Sequence, residues 1–252
     1  MITAVGTDIG RVREINEDAF SVRRIDHDSY CMIVADGMGG HKAGETASRR
    51  ACSIIGDRIC AELTDGSWEG DRVLEVMQES ISVANKTLYS AQLTDSELAG
   101  MGTTVVAVVV RGNKAFVCNV GDSRLYLYSD GLKQITKDHS YVAELLEMGV
   151  ITEKQAAVHP NKNVITRAIG TEKSVVPDTY SGVLKKDDVI LICSDGLSNM
   201  VSDKDISDVI KKAEKAETAA SMLVELANKN GGRDNITAVV MKYDETGRDK
   251  AL

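Results

Sequence analysis

Apolar residues along the chain follow two rhythms that alternate in blocks. Tyr30 to Ala35 is an apolar run of strand length. Thr103 to Val110, Lys114 to Val120 and Arg124 to Ser129 then follow one another, with only Arg111-Gly-Asn113 and Gly121-Asp-Ser123 between them. Short Gly-bearing links between β-branched runs predict antiparallel hairpins. Asp188 to Cys193 and Ile236 to Tyr243 predict two further strands. A 3.6-residue rhythm takes over at Ala47, Ala51, Ile54, Ile55, Ile59 and Leu63, and again at Leu74, Met77, Ile81, Ala84 and Leu88, predicting two amphipathic helices. A second helix pair is predicted over 203–212 and 217–230, the last stopped by Gly231-Gly232. Helix pairs between blocks of antiparallel strands predict an α+β layered fold, with the helices outside a sheet core. No linker composition divides it, so one domain is expected.

The stretch from 139 to about 175 breaks both rhythms. It offers one short helix, Tyr141 to Met148, and then His159-Pro-Asn-Lys-Asn163 without periodicity. An irregular segment this long inside a compact domain is usually functional.

Composition narrows the function classes. The chain has 252 residues, 43% hydrophobic, enough to bury a core. Its longest apolar run, Val105 to Val110, is far short of the about 20 residues that span a bilayer. Asp8 precedes any long apolar stretch, so no secretory signal is expected and a cytoplasmic location is. The net charge of −8, with no long basic run, disfavours nucleic acid as a partner. The five cysteines show no CxxC spacing, so neither a zinc site nor a disulfide scaffold is indicated.

Carboxylates recur at the rims of apolar runs. Asp36 ends Met32-Ile-Val-Ala35 and precedes Gly37; Asp122 follows Gly121; Asp195 ends Val189 to Ser194 and precedes Gly196. Asp234 stands just ahead of the strand from Ile236, and Glu17-Asp18 abut the strand beginning at Ala19. Asp-Gly is also ordinary turn chemistry. The sequence contains its own control: Ser129-Asp-Gly131 joins two half-exposed strands and is explained by a hairpin. The same tripeptide at Ser194-Asp-Gly196 leads from an apolar run toward a helix, which a hairpin does not explain. Clustered carboxylates raise one another's pKa unless cations neutralise them. Mg²⁺ or Mn²⁺ would suit an all-oxygen set that includes a backbone carbonyl from Gly37. Two such ions about 3.5–4 Å apart activate a shared water, which points to phosphate-ester hydrolysis. Arg13, four residues before Glu17, offers the planar fork that matches phosphoryl oxygens.

Arg13-Glu-Ile-Asn-Glu-Asp18, Val34-Ala-Asp-Gly-Met-Gly-Gly40, Gly102-Thr-Thr104, Asn119-Val-Gly-Asp-Ser-Arg124, Thr166-Arg-Ala-Ile-Gly170, Cys193-Ser-Asp-Gly196 and Arg233-Asp-Asn-Ile236 together resemble the metal-dependent serine/threonine phosphatases of the PP2C (PPM) type, in the family's order. The likeness is to compact bacterial members. It implies a four-layer α-β-β-α fold, a central antiparallel β-sandwich flanked by helix pairs. Residues 1–245 would form a single catalytic domain with a flap at 139–175, and 246–252 a tail. It implies two core Mn²⁺ or Mg²⁺ ions and a weaker third. Asp36 would bridge the core pair, Gly37 would give its carbonyl to one, and Asp195 and Asp234 would hold the other. Asp122 with Asp195 would form the third position, Glu17 and Asp18 would lie in or just outside the second ion's shell, and Arg13 would grip the phosphate. Asp36, Asp195 and Arg13 would carry catalysis. Phosphorylated proteins are the implied partners, with a Ser/Thr kinase and its substrates among them, met by a monomer. Met38 stands where some relatives carry a histidine and cannot give a proton, so water at the metals, ahead of His41, is expected to protonate the leaving alcohol.

Two alternatives are weighed. Cys118 to Arg124 fits the C-x5-R spacing of cysteine phosphatases, but that chemistry needs a loop opening a helix, and here Cys118 lies within a strand with Asp122 in the would-be phosphate cradle. A catalytically silent phospho-binding or regulatory module on the same scaffold would ordinarily have lost one of the metal-binding carboxylates; Asp36, Asp122, Asp195 and Asp234 are all present.

Overall fold

The computed structural model describes residues 1–40, 42–64 and 70–244. Its strands are β1 (Ile2–Asp8), β2 (Asp18–Arg24), β3 (Ser29–Met38), β4 (Gly102–Thr103), β5 (Val105–Arg111), β6 (Lys114–Val120), β7 (Arg124–Tyr128), β8 (Leu132–Gln134), β9 (Asp178–Val183), β10 (Val189–Cys193) and β11 (Ile236–Lys242). The helices are α1 (Lys42–Glu62), α2 (Gly70–Thr94), α3 (Tyr141–Glu147), α4 (Glu153–Ala157), α5 (Asp195–Ser198), α6 (Asp203–Lys212) and α7 (Ala216–Lys229).

Two antiparallel sheets form the centre. One runs β1-β11-β10-β7-β8, the other β2-β3-β5-β6-β9, with β4 added to the end of β3. Their facing sides share a core built from Met32, Val34, Val106, Val108, Ile192 and Val239. The alternate residues of the same strands turn outward. Cys31, Ile33, Ala107 and Val109 pack against α1 and α2, and Leu191, Ala238 and Val240 pack against α6 and α7. This explains the unbroken apolar run of β5: a strand covered on both faces has no solvent side. The layering is the α-β-β-α sandwich that the resemblance implied.

Two details differ from the pattern reading. The link Gly121-Asp-Ser123 is not a hairpin: β6 belongs to one sheet and β7 to the other, so the chain crosses the sandwich there. β6 is buried and β7 half-buried, and periodicity carries no information about which sheet a strand joins. Asp36 does not end its strand either, because β4 pairs with the extension, Gly37 opposite Thr103 and Met38 opposite Gly102. Edge strands β1 and β9, half-exposed and mixed in polarity, are absent from the pattern reading. His41 and the tail 246–252 lie outside the described residues, and residue 245 of the expected domain does too.

Candidate active site

Carboxylates from both sheets meet at one end of the sandwich. In the β2–β3 ladder Asp18 stands directly opposite Asp36. Like charges in that register repel. Asp122 sits in the link that crosses between sheets, Asp195 is the first residue of α5, and Asp234 precedes β11. A cavity of about 280 Å³ is lined by Arg13, Glu17, Asp36, Asp122, Asp195 and Asp234, with Gly37 beside them. Asp18 lies beneath, buried. All eight positions named from the sequence therefore gather in one place.

Backbone approach explains the glycines. A Cβ on Gly37 would fall 2.2 Å from the carbonyl oxygen of Gly44 and 2.6 Å from that of Glu17. A Cβ on Gly196 would fall 1.9 Å from the carbonyl oxygen of Asn235, so only glycine lets the Asp195 turn pack on the Asp234 segment.

The electrostatics call for positive charge. Burial raises the Asp36 pKa well above the carboxylate range, and Asp18, Asp195, Asp122 and Asp234 add to the shift. Asp18 and Asp122 are likewise pushed up chiefly by burial, each to about 7, as is Asp195, to about 6. Asp18 Oδ1 and Asp195 Oδ1 are buried with no hydrogen-bond partner among the described residues. The cationic side chain on the cavity wall, Arg13, donates from Nη2 to Asp234 Oδ2 at 2.7 Å. One guanidinium does not balance the five carboxylates that line the cavity. Oxygen donors of this number, desolvated and partly unsatisfied, fit hard divalent cations. They are not a tight chelate: among the described residues the only trio of possible ligand atoms within 4.8 Å of one another is Asp26, His27 and Asp28. That trio lies in the β2–β3 turn, at the other end of both strands, where the Asp26 side chain accepts from the Asp28 N–H at 2.9 Å. A wider acidic cluster suits ions that keep several of their waters.

Several positioning groups escape a sequence reading. Thr103 and Thr104, which read as the start of a strand, hold the Asp36 backbone. Thr104 Oγ1 accepts from the Asp36 N–H at 3.0 Å, and Thr103 Oγ1 donates to the Asp36 carbonyl at 2.9 Å. Thr104 Oγ1 also meets Ser123 Oγ at 2.7 Å, tying Asp36 to the Asp122 link. Ser194 Oγ donates to Asp18 Oδ2 at 2.7 Å. Asn235 accepts from the Glu17 N–H at 2.8 Å and donates to the carbonyls of Ile9 and Ile15, fixing the loop that bears Arg13. These are tertiary contacts between residues up to 226 positions apart; the family motifs contain Thr103, Thr104, Ser194 and Asn235, but no local signal marks what they contact.

The segment from 139 to 175 reaches one side of the cavity through Asn163 and Ile165. Buried His139 accepts at Nδ1 from the Gly121 N–H at 3.1 Å, so its neutral ring carries the proton on Nε2, which lies 3.2 Å from Asp178 Oδ2. Arg167 donates to Asp178 Oδ1 at 2.8 Å. A second cavity, of about 340 Å³, lies between Asp122 and Asp195 on one side and α3 and α4 on the other.

Residues 5–231 match the family model described as Protein phosphatase 2C. The chain is 38% identical over 246 residues to the serine/threonine phosphatase stp of Listeria monocytogenes serotype 4b, covering 96% of this chain and 97% of that protein. The crystal structure of serine/threonine phosphatase Stp1 from Staphylococcus aureus superposes with a TM-score of 0.91 at 35% identity, over 97% of this chain and 96% of that one. The catalytic domain of serine threonine protein phosphatase PstP, in complex with 2 manganese ions, gives a TM-score of 0.81 at 35% identity, over 94% of this chain and 96% of that one.

Proposed function

We propose that this chain, which belongs to the protein phosphatase 2C family of metal-dependent serine/threonine phosphatases, hydrolyses phosphoserine and phosphothreonine on proteins with water activated by two Mn²⁺ or Mg²⁺ ions. The observation that carries this reading is the acidic cluster itself: buried carboxylates from both sheets, raised in pKa and short of partners, around a cavity with one guanidinium.

Asp36, with the Gly37 carbonyl, is assigned to hold the ion pair together with Asp195 and Asp234. Asp122 and Asp195 would share a weaker third ion, and Glu17 and Asp18 would surround the second. When bound, the ions supply a water of lowered pKa and positive charge against the phosphoryl oxygens. Arg13, on a half-exposed side chain at the cavity wall, binds two phosphoryl oxygens with its fork and takes up charge as the transition state forms. Water's oxygen bonds to phosphorus as the ester P–O bond breaks, and the proton that water loses ends on the departing serine or threonine oxygen. Met38 lines the cavity but has no proton to give. The catalytic domain is taken as residues 1–245 with its flap at 139–175, acting as a cytoplasmic monomer. Its substrates are taken to include a Ser/Thr kinase and that kinase's targets. Among the described residues no helix is long and apolar enough to cross a membrane.

The test is turnover of a phosphothreonine peptide. EDTA should abolish it, Mn²⁺ should restore it, and Asp36→Asn should lower kcat by roughly 10²–10³-fold or more. A chelator-resistant rate that also survives Asp36→Asn would overturn the reading.

A further inference from the structure

Arg13 and the carboxylates account for the phosphoryl group and its ions, but a phosphoprotein also brings a polypeptide to the cavity. Two flap residues, Asn163 and Ile165, reach its wall. Asn163 is the one polar flap side chain there among the described residues. It is exposed, and its carboxamide has no hydrogen-bond partner among them.

The backbone beside Asn163 is held. The Tyr141 N–H donates to the Val164 carbonyl at 2.8 Å and the Thr166 N–H to the His139 carbonyl at 2.9 Å, on either side of an antiparallel bridge between Ser140 and Ile165. His139 is in turn fixed to Gly121, the neighbour of Asp122. Its N–H donates to the Gly121 carbonyl at 3.0 Å, and its Nδ1 accepts from the Gly121 N–H at 3.1 Å. Asn163 therefore stands two residues from the bridged Ile165, in a pairing that is tied to the loop carrying Asp122.

The side chain's chemistry indicates its ligand. Charged groups beside it already suit the phosphoryl dianion and the divalent ions. The carboxamide offers a donor and an acceptor side by side, which match the C=O and N–H of a peptide backbone. Half-buried Ile165 gives an apolar surface next to it.

We propose that Asn163 is a substrate-binding residue that hydrogen-bonds the polypeptide backbone flanking the phosphorylated serine or threonine. This rests on the phosphatase reading above. The experiment compares kcat/KM for a phosphothreonine peptide with that for an aryl phosphate, which has no peptide, in saturating Mn²⁺. In Asn163→Ala the peptide-to-aryl ratio should fall about tenfold, the effect of losing two neutral hydrogen bonds. Asn163→Asp, which keeps the shape but loses both donors, should lower the ratio as well. A ratio unchanged in both variants, whether the two rates fall together or neither falls, overturns the proposal. A wild-type chain with no metal-dependent turnover of either substrate would instead strike the catalytic reading.

Discussion

Replacing Thr104 with valine removes one oxygen at the point where three parts of the site are tied. The Thr104 hydroxyl accepts from the Asp36 N–H at 3.0 Å and meets Ser123 Oγ at 2.7 Å, and both Thr104 and Ser123 are buried. Valine keeps the branched shape but leaves the Ser123 hydroxyl and the Asp36 N–H without this partner. Each buried polar group so abandoned costs about 1–3 kcal/mol, so Thr104→Val should lose about 2–6 kcal/mol. For a domain of this size that lowers Tm by about 2–4 °C per kcal/mol, or about 4–24 °C in all. The bond from the Thr104 N–H to the Asp36 carbonyl, at 2.9 Å, survives, so the strand should still form while the Asp36 carboxylate shifts. A displacement near 1 Å at a reacting centre costs roughly 10²-fold in rate. Thermal unfolding and kcat in saturating Mn²⁺ test both numbers, with Thr104→Ser, which keeps the hydroxyl, as the restoring variant. A valine variant that melts with the wild type and turns over at the wild-type rate would refute the idea that this hydroxyl fixes Asp36.

Two further outcomes are expected. Cys118 is buried in β6 and its thiol is pushed up to about 12 by burial, so Cys118→Ala should leave turnover within about twofold; a dead variant would revive the thiolate chemistry rejected above. Burial holds the His139 pKa below the ordinary histidine value, against the opposing pull of Asp178. As pH falls below about 6.5 the unfolded chain gains a proton at this position before the folded chain does, so stability is full above that value and is lost on acidification. The Tm of the Mn²⁺-loaded protein should therefore fall more steeply below about pH 6.5 in the wild type than in His139→Asn, and equal slopes would contradict this.

How much of this was legible in the sequence depended on burial. Val105 to Val110 declared a strand covered on both faces, and Ala47, Ala51, Ile55 and Ile59 declared the helix face that packs on it. The Asp-Gly steps were informative because Ser129-Asp-Gly131 supplied a plain hairpin for comparison, and β7–β8 is that hairpin. Sheet membership was not legible: the same kind of Gly-bearing link makes a hairpin at Arg111-Gly-Asn113 and a crossing at Gly121-Asp-Ser123. Nor were the contacts of Thr104, Ser194 and Asn235, although these residues stand in the motifs that carry the resemblance, nor the place of Asn163. Each owes its place to chain segments far away in sequence, and a lone polar residue carries no local mark of what it will meet.

The division of the acidic residues between the two sheets has a consequence for synthesis. Asp18 and Asp36 arrive early in translation, whereas Asp234 arrives with β11, which must slot between β1 and β10. On the assignment proposed here, a nascent chain stalled before that insertion would present the site without Asp234 and remain inert. Catalytic competence would switch on in a single late step rather than accrue as the polypeptide lengthens.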